Sequence, residues 1–270
     1  MDLYHNRLTV ADIRALKGKR QLSMLYVDTP EEAAAAAAAG IDMLSIIDPS
    51  WTAEMREAAG DCFVQVGLLY GGLITLEDYQ RAAHRVMGLG GDCVYCASSH
   101  TTIKALVDDG IPVVSHVGLI PSKATWTGGF RAVGKTADSA FHIYSHVKML
   151  EEIGCFGAEL EVIPDRVAAE IAKRTNLVLL GMGAGPHADA QYLFAEDVLG
   201  YTDGRKPRHA KTYRNFRAEY DRLQAERIAA FQEFKMDVET GAYPAPDHSV
   251  TIDDFELTLL MDKLPLHGEI

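Results

Sequence analysis

Short apolar runs alternate with stretches of helical period along most of the chain. Leu22 to Val27, Met43 to Ile47, Cys62 to Val66, Asp92 to Ala97, Pro112 to Val114, Gly157 to Glu161, Leu177 to Met182 and Val198 to Tyr201 read as buried strands. The stretches between them read as helices. Thr29 caps one that runs through the seven alanines Ala33 to Ala39 and stops at Gly40. Thr52 to Ala59, Leu76 to Gly88, Thr101 to Asp109, Ala137 to Ile153, Asp165 to Arg174 and Ala188 to Ala195 supply the others. A short amphipathic helix, Leu8 to Lys17, precedes the first strand, and a long one, Ala210 to Thr240, follows the last. Strict alternation of this kind predicts the α/β class and a single (β/α)8 TIM barrel, residues 1–270, with an N-terminal helix and a long C-terminal helix. A doubly wound open sheet is the competitor, but no G-x-G-x-x-G follows the first strand.

Active sites of such barrels lie at the carboxyl ends of the strands. Those ends carry Asp28, Asp48, Gly67, Ala97, His116, Glu161 and the turn Gly183-Ala184-Gly185. The fifth strand delivers Ser115 and His116 to its end, and a long segment rich in Gly, Ser, Thr and Lys follows, without helical or strand period until Ala137. Loops of that length inside a compact domain are usually functional. In Glu-Leu-Glu-Val-Ile-Pro, alternation puts Glu159 and Glu161 on one face, which in a barrel is the interior. Two carboxylates there are expensive without partners, and carboxylates with an imidazole suit acid–base work or a hard divalent cation.

Composition narrows the partners. A formal net charge of −12 argues against nucleic acid or an anionic membrane as the main partner, while leaving open a small anionic substrate. Met1 to Arg7 lacks the apolar core of a signal peptide, and no run approaches a membrane span. Cys93 and Cys96 form C-x-x-C on a strand, where side chains three apart face opposite ways, so neither a shared metal nor a disulfide is expected. A cytoplasmic enzyme with reduced thiols is the expectation.

Four stretches then stand out together: Pro-Val-Val-Ser-His-Val-Gly-Leu-Ile-Pro, Gly-Gly-Phe-Arg-Ala-Val-Gly-Lys-Thr, Leu-Glu-Val-Ile-Pro and Gly-Met-Gly-Ala-Gly. With the tail Gly-Ala-Tyr-Pro-Ala-Pro-Asp-His-Ser they resemble the ketopantoate hydroxymethyltransferase (3-methyl-2-oxobutanoate hydroxymethyltransferase) family of the phosphoenolpyruvate mutase and isocitrate lyase superfamily. The resemblance is strong from about Ile111 onward and fainter before it. It implies a small 2-oxo acid substrate held by Mg2+, an enolate formed by loss of the C3 proton, and attack on the one-carbon unit of 5,10-methylenetetrahydrofolate, in pantothenate biosynthesis. It also implies a homo-oligomer, often a decamer. On the matching positions Glu161 is the proton acceptor, His116 the characteristic histidine after the fifth strand, and Asp48 the first metal- and substrate-contacting carboxylate.

The departures are as specific as the matches. The family's second Asp falls at Gly67, its substrate-contacting Lys at Tyr95, its metal-associated Glu at Ala97, and the Ser beside its metal Asp at Pro49. The catalytic candidates are therefore Glu161 and His116, the substrate-binding candidates Asp48, Ser50 and Tyr95, and the metal candidate Asp48 alone. One carboxylate is a thin donor set for Mg2+, so weak binding is expected. Enolate-based one-carbon transfer is the leading function. The rivals are a C–C lyase or hydrolase on another small oxo compound, with Trp51, Tyr70 and Tyr95 rebuilding the pocket, and a catalytically silent homologue used for binding or assembly.

Overall fold

The computed structural model describes residues 7–204 and 206–264. Of the leader reading of Met1 to Arg7, all but Arg7 lies outside the described residues. Two compact units make up the chain, Met1–Asn215 and Phe216–Ile270.

The first unit begins with α1 (Val10–Leu16), β1 (Leu22–Tyr26), α2 (Pro30–Ala38), β2 (Met43–Ile47), α3 (Ala53–Ala58) and β3 (Phe63–Gly67). It continues through α4 (Leu76–Gly88), β4 (Cys93–Tyr95), α5 (His100–Asp108), β5 (Val113–Gly118), α6 (Ala124–Thr127) and α7 (Ala137–Ile153). It ends with β6 (Gly157–Glu161), α8 (Asp165–Ala172), β7 (Val178–Met182), β8 (Ala190–Phe194) and α9 (Ala195–Leu199). The eight strands pair in parallel and in sequence order, and β8 closes on β1, so the sheet is the barrel that the alternation predicts. The second unit holds α10 (Phe216–Thr240) and α11 (Asp254–Met261).

The closing strand corrects the sequence reading. Ala188 to Ala195 is not a helix and Val198 to Tyr201 is not a strand: β8 occupies Ala190–Phe194 and the helix follows it. Alanines at 188, 190 and 195 imitate helix propensity, but Ala190 and Tyr192 are buried while Gln191 is exposed, which is the period of a strand. Register with β1 from Leu22↔Ala190 to Tyr26↔Phe194 outweighs local preference. Smaller shifts occur elsewhere. β5 runs on to Gly118, so His116 sits within the strand rather than beyond it; β4 is shorter than Asp92 to Ala97; the long helix starts at Phe216 rather than Ala210. The loop after β5 also contains a helical turn at Ala124–Thr127.

Two apolar layers hold the barrel. Inside lie Leu22, Met24, Met43, Phe63, Val114 and Leu180, with Ile13 of α1 packed against them; outside, helices and strands share the larger layer. Cys93 belongs to the inner layer and Cys96 to the outer, the opposite faces that strand geometry requires. At the amino ends of the strands one device recurs. Asp42, Asp92 and Asp189 stand just before β2, β4 and β8, and each accepts the backbone N–H of a residue in the preceding strand, Ser23, Val64 or Leu179, at 2.8 Å. Arg20, Arg56 and Lys17 respectively balance their charges. Backbone register and charge are thus fixed together at the end away from the mouth.

Candidate active site

Towards the carboxyl ends the barrel interior turns polar. Strand alternation brings Ser45 of β2, Gln65 of β3, Tyr95 of β4, His116 of β5, Glu159 and Glu161 of β6, and Tyr192 of β8 to the inward face. His116 lies at the centre and is 2% exposed. Its Nδ1 is 2.8 Å from the Tyr95 hydroxyl and 3.2 Å from Glu159 Oε2; its Nε2 is 2.7 Å from the Leu119 carbonyl and 3.2 Å from Glu161 Oε2. Gln65 Nε2 donates to Glu159 Oε1 at 2.7 Å and to Ser45 Oγ at 3.4 Å.

These contacts settle the charge on His116. A carbonyl only accepts, so Nε2 carries a hydrogen. Burial pulls the imidazole pKa down, but Glu159 and Glu161 more than offset it and raise it to about 9. At neutral pH the ring is therefore an imidazolium donating on both sides, and it neutralises one of two carboxylates that could not share the interior alone. Burial, followed by the field of Glu159, drives the Tyr95 phenol well above its ordinary pKa. Tyr95 accordingly stays protonated and able to donate.

Backbone strain marks the same spot. Val162, directly after Glu161, has φ +46°, a left-handed conformation rare for a β-branched residue. It is held there by its N–H to the Met182 carbonyl and by Val133 N–H to its own carbonyl. Gly118 on the facing strand has φ +90°, and a Cβ there would lie 2.3 Å from the Glu161 carbonyl oxygen. Strain of this kind persists where the surroundings over-determine it, commonly at functional sites. The orphaned Oε1 of buried Gln65 is a further cost carried beside Glu159.

The structure joins some of the sequence candidates and separates others. Glu161, His116 and Tyr95 form one hydrogen-bonded and ion-paired row. Asp48 does not reach it: it follows the inward-facing Ile47, begins a single 3-10 turn, and its carboxylate pairs with the Arg85 guanidinium of α4. Arg85 also donates to the Asp48 carbonyl at 3.0 Å. Ser50 closes that turn. Trp51 is no pocket wall either; it is 1% exposed in the outer layer, with Nε1 donating to the Val86 carbonyl at 3.2 Å. Tyr70 and Tyr95 do line a cavity of about 240 Å³, with Leu68, Tyr79, Ala97 and Ser98. A larger concavity of about 830 Å³ lies along α7 and α8, and its lining includes none of the candidate residues. The turn Gly183-Ala184-Gly185 is packed against His209 and Asp165, which occupy the space a Cβ would need.

Glu159 and Gln65 join the same row but are missing from the sequence-based candidates. Glu159 was legible from alternation. Gln65 was not, since nothing in its own strand distinguishes it from a core polar residue.

The donor set does not fit Mg2+ as the family's pattern would hold it. Arg85 already neutralises Asp48, and Gly67 and Ala97 bring no side-chain oxygen. Among the described residues no group of three or more His, Cys, Asp or Glu side chains is placed to hold a metal ion.

A parallel barrel with an imidazolium braced between two carboxylates at its mouth is a setting for acid–base chemistry. The chain belongs to the ketopantoate hydroxymethyltransferase family, whose model matches residues 50–246. The 3-methyl-2-oxobutanoate hydroxymethyltransferase of Thermus thermophilus (strain ATCC BAA-163) is 34% identical to it over 90% of this chain and 99% of its own length. That of Syntrophobacter fumaroxidans is 32% identical over 96% and 99%. Among solved structures, 2,3-dimethylmalate lyase, a member of the PEP mutase/isocitrate lyase superfamily, superposes with a TM-score of 0.51 at 14% identity, over 95% of this chain and 99% of its own, a likeness of fold alone.

Proposed function

We propose that the chain is a hydroxymethyltransferase that forms the enolate of a small 2-oxo acid and joins it to a one-carbon unit, with 5,10-methylenetetrahydrofolate as donor, in pantothenate biosynthesis. The observation that carries this reading is Glu161. Its Oε2 is held by the His116 imidazolium at 3.2 Å, its Oε1 makes no bond among the described residues, and its side chain is 14% exposed at the mouth. A carboxylate oriented on one oxygen and open on the other is suited to take a C3 proton. His116 orients it, and Tyr95, bonded to the other ring nitrogen, lines the cavity beside it.

The setting follows the same reading. Four free cysteines, all buried, suit a reducing cytoplasmic compartment. No helix among the described residues is long and apolar enough to cross a membrane. The apolar side chains of α10, among them Tyr220, Leu223, Ile228, Phe231 and Phe234, support a homo-oligomer of the ring type that the family resemblance implies.

The test is deuterium exchange at C3 of 3-methyl-2-oxobutanoate, followed by product formation on adding 5,10-methylenetetrahydrofolate. Exchange with product formation is the expected result. Exchange without product, under saturating folate, would reassign the electrophile; no exchange would overturn the enolate reading.

A further inference from the structure

The row that orients Glu161 also contains a group with no role in taking the proton. Tyr95 stands where the family has a lysine, and it reaches both the mouth cavity and the imidazolium. Because His116 donates through Nδ1, the Tyr95 oxygen accepts and its own hydrogen is free for an oxygen brought into the mouth. The carboxylates that a hard cation requires are meanwhile missing or engaged: Asp48 is paired with Arg85, and positions 67 and 97 are Gly and Ala.

We propose that in this chain the Tyr95 hydroxyl, backed by His116, is the electrophile for the enolate oxygen, in place of a divalent cation. This rests on the enolate chemistry proposed above. The step balances within the named groups. Glu161 takes the C3 proton, the C3–H electron pair becomes the C2–C3 double bond, and the carbonyl π pair moves onto oxygen. That oxygen is held by the Tyr95 O–H, whose dipole is strengthened by the imidazolium N–H behind it. A phenol that burial keeps protonated donates without giving its proton away. The Tyr95–His116–Glu159–Gln65 chain fixes its direction before substrate arrives, so no reorganisation is needed as charge develops. Tyr95 is thus a catalytic residue and Glu159 a positioning residue that acts through His116.

The experiment follows C3 exchange of 3-methyl-2-oxobutanoate in deuterium oxide, with excess EDTA or with added Mg2+, for the parent and for Tyr95→Phe. Calorimetry of the non-enolisable 3,3-dimethyl-2-oxobutanoate accompanies it under both conditions. The parent is expected to exchange at the same rate with EDTA and with Mg2+, and to bind the analogue equally in both. Tyr95→Phe is expected to exchange about a hundredfold more slowly in both, the usual cost of one oxyanion donor. Exchange abolished by EDTA and restored by Mg2+ would overturn the proposal and leave the enolate reading standing, as would analogue binding tightened tenfold by Mg2+. A Tyr95→Phe protein that is folded by circular dichroism and exchanges at the parent rate would also overturn it. Absence of exchange under every condition would remove the enolate reading, and this inference with it. Should Tyr95→Phe fail to fold, the EDTA comparison on the parent decides alone.

Discussion

Glu161, His116 and Tyr95 have three separate roles at one site. In the proposed reaction Glu161 is the base, His116 the cation that orients it, and Tyr95 a hydroxyl on the far side of the ring that lines the cavity. Glu161→Gln keeps size and hydrogen bonding but takes no proton, so C3 exchange should fall by roughly two to four orders of magnitude. Thermal stability at neutral pH should fall modestly, since the buried imidazolium then keeps only Glu159 as counter-charge. Parent-like exchange in that variant would make Glu161 structural. His116 carries a pH dependence of definite sign. Folding raises its pKa from 6.5 to about 9, so the folded state gains from protonation. That contribution is complete below about pH 6.5, shrinks as pH rises and is lost beyond about 9. The groups facing the ring are Tyr95, Glu159 and Glu161, and the carboxylates set the direction. An NMR titration should show the His116 ring still protonated at pH 8; a midpoint at or below 6.5 would refute the bracing.

At the scale of elements, the site depends on β5 and β6 ending in register. Gly118 pairs with Glu161, and its neighbour Leu119 donates its N–H to the Glu161 carbonyl at 2.9 Å. A side chain at 118 would meet that carbonyl at 2.3 Å while also occupying a left-handed backbone at φ +90°. Gly118→Ala should therefore cost about 2 kcal/mol or more and shift Glu161 away from His116, lowering activity further than stability alone explains. Denaturant unfolding and exchange on the same preparation would separate the two effects. α7 offers a contrast, because its capping box, Thr136 with Ser139, lies outside the row. Thr136→Ala should cost about 1 kcal/mol and leave exchange per folded molecule unchanged.

Over the whole molecule the two ends of the barrel have different work. The amino ends hold charges for stability, as at Asp92, whose carboxylate accepts Val64 N–H at 2.8 Å and pairs with Arg56 and Arg7. Burial raises the Asp92 pKa, which these partners oppose. Asp92→Ala would leave two partly buried cations unbalanced and should cost about 3 kcal/mol without altering the chemistry of the folded fraction. A loss of C3 exchange in properly folded Asp92→Ala protein would contradict that separation. The assembly is a prediction at the same scale. Light scattering at micromolar concentration should give a multiple of 29.5 kDa, and a monomer would remove the proposed oligomer.

The alternation of apolar runs and helical stretches determined the barrel, because strand and helix periods are local properties that short windows reveal. The same period of two determined that Glu159 and Glu161 point inward, and the family motifs singled out His116 and Glu161. The tertiary structure alone decided which segment closes the sheet, since Ala190–Phe194 is recognisable as a strand only against β1. It decided the fate of Asp48, whose partner Arg85 lies 37 residues away on a helix. It moved Trp51 from the pocket to the outer layer through a bond to Val86, and it joined Gln65 to Glu159 across 94 residues. Each of these rests on a pairing between distant segments. The energy of such a pairing depends on who is opposite, and that is set by the closure of the barrel rather than by any residue's own neighbours.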